Sequence, residues 1–311
     1  MRLIFFILFF NISASAQELF PHTEPASTIP KHVLGLRYSF EAFDAKNGTA
    51  SIWNSIKIMY GVAPRLTLIG SISISNHHTK KFPSPYSNNF QYHHSSSSYN
   101  YPYMKASNPY LLEGITLYGK YRFLSFDGAH SHFRGAFYGE ISKSFIAYRG
   151  AEPILAGSNS GAGAGVIFTK LHKKIAISGT AGYLHPFKYE EKDSLLSFQS
   201  GKGFIYNVSF GYLLYPAKYT SYNDLNVNVY AEFINKVFEK ASYIHHDLPV
   251  NVDYYPTLRS GRYSEIRPAI QCIINSNTRI DVSVSFPVYQ RINTRTYPVY
   301  MINIQRYFYK S

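Results

Sequence analysis

Apolar and polar residues alternate in segments of about ten residues, and such segments recur over most of the chain. In residues 65–75, Leu66 and Leu68 fall on one face while Thr67 and Ser71 fall on the other. A period of two is typical of β-strands with one apolar and one polar face. We therefore expect an all-β protein.

Twelve such segments can be placed, and most are near the ~9–11 residues that a tilted strand needs to cross a bilayer. Short connections alternate with long ones, as they do between the periplasmic and external ends of transmembrane barrels. The pattern predicts a single transmembrane antiparallel up-and-down β-barrel of about 12 strands within residues 31–311, in the cell outer membrane of a Gram-negative bacterium. The predicted strands are 32–42, 50–61, 65–77, 113–124, 132–147, 161–170, 173–184, 203–214, 225–237, 262–274, 278–287 and 297–308.

The amino-terminal residues have the form of an export signal. A positive start at Arg2 is followed by an apolar run, and small residues precede Gln17. This order predicts that residues 1–16 are a secretory signal peptide, since the apolar run is too short to span a bilayer as a helix. Residues 17–30 contain three prolines and no periodicity, and are expected to form a periplasmic lead-in.

The composition fits this architecture. Charged residues make up 16% of the chain, below the ~25% of ordinary soluble proteins. The 29 Tyr and 23 Phe suit half-buried strands and membrane interfaces. The net charge of +13 comes from dispersed basic residues, so we expect no nucleic-acid partner. The expected partners are outer-membrane lipid, the barrel-assembly machinery and a small solute. With the single Cys272, no internal disulfide is possible.

A secreted β-sandwich or carbohydrate-binding module would also show alternation, with its apolar face inside. The long strands and the alternating loop lengths favour the barrel. In a barrel the polar face lines the lumen, where charges would either surround a solute path or pair to close the interior. Both interpretations remain open. The lumen-lining candidates are Arg37, Glu41, Lys57, Lys120, Arg122, Arg134, Glu140, Glu232, Glu265, Arg267 and Asp281.

Three His-His pairs lie in or beside predicted external loops, and imidazoles are ligands for Zn²⁺ or Cu²⁺. Their spacing matches no known site, so solvated loop histidines are the alternative. The pairs are His77-His78, His93-His94 and His245-His246. The loop 78–112 could form a constriction, bind sugar or be a mobile surface loop. No cofactor is indicated.

Catalysis has little support in the sequence. The compact serine and histidine combinations are His93-His94-Ser95, in a loop, and His130-Ser131-His132, at the periplasmic end. Asp247 and Asp253 are the nearest pair of carboxylates for an aspartyl-type site. Phosphate-binding, dinucleotide and zinc-protease motifs are missing from the sequence. We therefore predict that the chain is not an enzyme and has no catalytic residues.

The stretch 56–68, IKIMYGVAPRLTL, resembles a hairpin of outer-membrane transporters related to the phenol meta-degradation pathway: a strand ends in Tyr-Gly, and Arg-Leu-Thr-Leu opens the next. The resemblance implies a barrel for passage of small molecules. The aromatic ending Tyr307-Phe308-Tyr309 is similar to the carboxyl-terminal signal of outer-membrane barrels. We therefore expect a transporter or channel. The alternatives are a closed barrel that binds a partner through external loops, and a barrel enzyme that hydrolyses lipid or protein.

Overall fold

The computed structural model describes residues 20–309, except for 46–48, 77, 79–108, 147, 149, 192–194, 219–220, 222 and 292–296. Twelve strands form a closed antiparallel barrel, as the alternation predicted. They are β1 Leu34–Ala45, β2 Thr49–Ala63, β3 Leu66–Ser75, β4 Leu111–Asp127, β5 Ser131–Ser144, β6 Gly161–His172, β7 Ile175–Pro186, β10 Gly203–Tyr215, β11 Asn226–Phe238, β14 Gly261–Ile274, β15 Thr278–Gln290 and β16 Val299–Phe308.

The first and last strands close the barrel. The register of β1 and β16 runs from Leu34 opposite Phe308 to Phe43 opposite Val299. Every other barrel strand pairs with its sequence neighbours in the wall, so the topology is up-and-down. Closure removes free sheet edges, which a bilayer cannot satisfy with hydrogen bonds.

The two faces of the wall differ in polarity. Outward side chains such as Ile58, Leu117 and Ile270 are 55%, 53% and 56% exposed. The residues that alternate with the outward side chains point inward, and many are polar, such as the buried Thr67 and Ser73 of β3. A soluble sandwich would bury its apolar face, so this arrangement excludes that alternative. Among the described residues, no helix is long and apolar enough to cross a membrane.

The ends of the barrel also differ. At one end the connections are mostly short, such as residues 64–65, 173–174 and 275–277; this is the short-turn end. At the other, the long-loop end, the connections between strands are long, over residues 76–110, 145–160, 187–202 and 239–260. The long-loop end is the external side, following the general asymmetry of outer-membrane barrels.

A small sheet that the sequence did not predict lies in the loops of the long-loop end. Its strands are β8 Tyr189–Glu191, β9 Leu196–Gln199, β12 Ser242–His245 and β13 Leu248–Pro249, in the order β13-β12-β9-β8. Short 3-10 turns at Val252–Tyr254 and Pro256–Leu258 follow it. Phe198 and Tyr243 of this sheet pack with Leu258 and with Tyr263 of β14 in one apolar cluster. This cluster anchors two external loops to each other and to the wall.

Candidate functional site

Residues 20–30, called the lumen segment below, lie against the inner wall of the barrel. Phe20 packs with Ala176, Tyr230 and Ala269 from three different strands. Further along the segment, Ala26 packs with Ala136, Tyr138 and Ile167, and Ile29 with Met59 and Ile69. This position differs from the periplasmic lead-in that we expected for residues 17–30. The physical reason is that the inward side chains supply the hydrogen-bond partners that an irregular segment lacks.

Inward polar side chains bind the backbone of the lumen segment directly. The Glu232 carboxylate accepts hydrogen bonds from the backbone N–H groups of His22, at 2.9 Å, and Thr23, at 2.8 Å. The hydroxyls of Thr169 and Thr67 each accept one N–H bond from the segment, at 2.9 Å. A buried backbone without strand partners needs such acceptors, because an unpaired N–H group is costly away from water.

The carboxylate of Glu24 lies among three inward cations. Its Oε2 lies 3.1 Å from Lys120 Nζ, and its Oε1 lies 3.9 Å from Arg37 Nη1. Burial alone would raise the pKa of Glu24, but Lys120, Arg37 and Lys57 outweigh it and hold the pKa at about 2. The lumen segment therefore neutralises part of a basic region of the wall.

The ring of His22 has fixed donor and acceptor roles. Nδ1 lies 2.5 Å from Arg267 Nη1, which can only donate, and Nε2 lies 2.8 Å from Ser283 Oγ. The ring therefore accepts at Nδ1 and donates at Nε2, which is the neutral form. Burial and the charges of Arg267 and of Lys57, Arg37 and Arg279 hold the pKa of His22 well below its ordinary value.

Three other predicted lumen residues lie in charge pairs along the inward face. Arg267 binds Glu265, which also accepts from Tyr297 Oη at 2.7 Å. Asp281 lies 2.9 Å from Arg279, a cation absent from our sequence-based set. Glu41, Lys57 and Glu140 are half-buried.

Arg122 and Arg134 lie at the short-turn end of the lumen. Arg134 Nη2 lies 2.9 Å from Asp127 Oδ1, and Arg122 donates to the carbonyl of Pro64 at 3.0 Å. Arg134 also donates to Ser27 of the lumen segment, at 3.0 Å. The short-turn end therefore holds the carboxyl-terminal half of the lumen segment, at Ser27.

A second segment, residues 151–160, packs against inward residues near the long-loop end and is called the mouth segment below. Glu152 is buried, lies 2.8 Å from Lys236 Nζ and accepts from Tyr263 Oη at 2.9 Å. The hydroxyl of Thr116 donates to the carbonyl of Leu155 at 2.8 Å. Sequence reasoning missed Glu152 because it lies in a loop without periodicity. It also missed Lys236, although the alternation places Lys236 on the inward face of β11 with Glu232.

The candidate metal ligands are only partly described. His77, His93 and His94 lie outside the described residues. The rings of His245 and His246 are 4.3 Å apart, and His78 Nδ1 contacts Glu113 Oε1 in the barrel wall. Among the described residues, no group of three or more His, Cys, Asp or Glu side chains could hold a metal ion.

One serine lies beside a histidine and a carboxylate, as in a hydrolase. Ser75 Oγ donates to Glu113 Oε1 at 2.5 Å and lies 3.5 Å from His78 Nδ1. A catalytic triad needs the serine at one ring nitrogen and the carboxylate at the other. Here both lie at Nδ1, so this buried cluster does not have the geometry of a triad.

Comparison with known proteins supports the fold. No family model matches the chain, and no curated protein matches it. Among solved structures, an outer-membrane channel from Pseudomonas putida F1 is similar over 94% of this chain and 100% of its own, with a TM-score of 0.58 and 9% identity. The KdgM porin aligns over 88% of this chain and 99% of its own, with a TM-score of 0.38 and 10% identity.

The first of these similarities shows a shared barrel fold at an identity too low to show more. The closed wall, the apolar exterior and the polar interior agree with this fold and indicate a barrel that lies in a membrane. The chain is a twelve-stranded β-barrel of the bacterial outer membrane.

Proposed function

We propose that this barrel is a channel for small solutes whose path is controlled by the lumen segment. The observation that carries the proposal is the way in which the segment is held. Besides the three small apolar clusters described above, its anchors are hydrogen bonds and ion pairs, such as Glu24 with Lys120 and Thr23 with Glu232. Water can replace such contacts, whereas a purely structural interior is better stabilised by apolar packing.

The charge around the segment favours anionic solutes. Lys57 and Arg37 face each other in the register of β1 and β2, and Glu24 lies between Arg37 and Lys120. When the segment leaves the wall, Glu24 leaves with it, and these three cations face the water-filled lumen. Cationic linings attract anions and repel cations.

The hairpin of β2 and β3 fits the same proposal. The strands end at Ala63 and begin again at Leu66, so the stretch that resembles transporters of the phenol meta-degradation type is a short-turn hairpin of the wall. We include membership of that group of barrels in the proposal, without assigning phenol as the solute.

A closed barrel that binds a partner through its loops is the second candidate. The observation in its favour is that two segments occupy the interior, with the small sheet and its apolar cluster at the long-loop end. In that case the lumen segment would be a permanent part of the fold.

Single-channel conductance separates the two candidates. We would compare the refolded full chain with a variant that lacks residues 17–30, after confirming by heat-modifiable gel migration that both are folded. The channel predicts larger or longer-lived current steps in the deletion variant, with an anion preference that Lys120→Met reduces and Lys170→Met, an outward-facing change, leaves unaltered. A folded deletion variant that conducts no current would refute the channel.

A further inference from the structure

The bilayer-facing wall carries a groove that the channel does not use. Its volume is about 870 Å³, within the ~300–1,000 Å³ typical of small-molecule sites. Much of the apolar part of its lining comes from outward side chains of β2 to β5, which face lipid. These are Ile56, Ile58, Ile72, Ile115, Leu117 and Ile141.

A glycine forms the floor of this groove, called the Gly70 groove below. In the wall, Gly70 lies between Ile58 of β2 and Leu117 of β4. A Cβ atom placed on Gly70 would meet no other atom within 4 Å. Because Gly70 has no side chain, the wall has a depression at this position of β3, between the two large apolar side chains of the neighbouring strands.

The long-loop end of the groove is polar and basic. Lys143, Lys188 and Glu190 line it, together with hydroxyl residues such as Ser144 and Ser160. Lys188 is paired with Glu190 at 2.8 Å, while Lys143 is exposed and, among the described residues, has no carboxylate within ion-pairing distance. The groove thus joins an apolar floor at membrane depth to lysines at the external surface.

We propose that the Gly70 groove binds a phosphorylated glycolipid of the outer leaflet, with an acyl chain over Gly70 and a phosphate group at Lys143 and Lys188. The long-loop end faces the outer leaflet, so the lysines lie at head-group level on the external side. Amino groups there attract anionic head groups, and isoleucine and leucine side chains accommodate hydrocarbon. The proposal does not depend on whether the barrel conducts.

Native mass spectrometry of the detergent-solubilised full chain with lipid A tests the site. We expect one retained lipid A per barrel, and binding about thirtyfold weaker in Lys143→Ala/Lys188→Ala, at about fivefold for each cation. Gly70→Leu should also weaken binding, because it fills the floor. Gly179 provides the matched control: it lies in the wall outside the groove, and its Cβ position is equally open, so Gly179→Leu should bind as the wild type does.

Further controls identify the recognised chemistry. Lys170→Ala, near the short-turn end, should leave binding unchanged, and lipid A without its phosphates should bind as weakly as the double lysine variant. The proposal is overturned if Gly70→Leu and Gly179→Leu bind equally, or if removal of the phosphates has no effect. The first result would mean general coating by lipid, and the second would mean apolar binding alone.

Discussion

Replacing Glu232 with alanine should release the lumen segment. The Glu232 carboxylate accepts the backbone N–H groups of His22 and Thr23, at 2.9 and 2.8 Å, and the side chain is fully buried. In Glu232→Ala these two donors lose their acceptor in the docked state, but they bind water when the segment leaves. The change therefore destabilises the docked state relative to the undocked one.

The size of the effect follows from the two hydrogen bonds. A hydrogen bond to a charged group contributes roughly 1.5–3 kcal/mol. If the free-energy contribution of only one hydrogen bond is lost, the docking equilibrium shifts by about tenfold, since about 1.4 kcal/mol corresponds to a factor of ten. If both are lost at the lower figure, the shift is about a hundredfold. We expect a result between these limits.

Thiol labelling measures the shift without reference to current. Ala26 is fully buried against the wall, so Ala26→Cys in a Cys272→Ala background should react with a water-soluble reagent only when the segment is undocked. The labelling rate of Glu232→Ala should be about ten to a hundred times that of the parent, because one to two hydrogen bonds of the docked state are lost. Glu140→Ala is the matched control, since this half-buried lumen carboxylate makes no hydrogen bond to the segment among the described residues.

An unchanged labelling rate in folded Glu232→Ala would contradict this role of Glu232, because it would mean that its contacts do not hold the segment. Equal acceleration in Glu140→Ala would also refute it. That result would point to a general loosening of the barrel rather than to two specific hydrogen bonds.

Three other changes test separate parts of the structure. Because the pKa of docked His22 lies well below its ordinary 6.5, docking should be strongest above pH 6.5 and weaken by up to about tenfold per pH unit below it, with the slope lost in His22→Phe; labelling against pH measures this. Gly61→Ala should accelerate labelling, because the new Cβ would lie 2.0 Å from a carbonyl oxygen of the lumen segment. Lys236→Met breaks a buried ion pair and should lower the free energy of unfolding by about 3–5 kcal/mol, whereas Lys240→Met, in an exposed pair, should cost less than about 1 kcal/mol; denaturant titration compares them.

The barrel itself could be predicted because its constraint is local. Each strand must present apolar residues to lipid and polar residues to the lumen. This requirement produces an alternation that can be recognised within a single strand, as in β3 and β15. All twelve predicted strands overlap the observed ones, and the boundaries differ by a few residues.

The contents of the lumen could not be predicted in the same way. Thr23 contacts Ser209, 186 residues away, and His22 contacts Ser283, 261 residues away. Nothing in a proline-containing stretch without periodicity distinguishes a segment bound inside a barrel from a solvated linker. The small external sheet was missed for a related reason: its strands have two to four residues, too few to show a period, and pair across distant loops.

The short connection between the lumen segment and β1 makes the segment a tethered ligand. Only residues 31–33 separate it from the first strand, and a tight turn fixes this junction through hydrogen bonds from His32 to Gly61 and from Val33 to Pro30. A ligand on so short a tether has an effective concentration in the millimolar range or above. Contacts that would be too weak to hold a free peptide of the same sequence at micromolar concentration can therefore keep the segment bound. When the segment undocks, the tether keeps it near the wall, so it binds again.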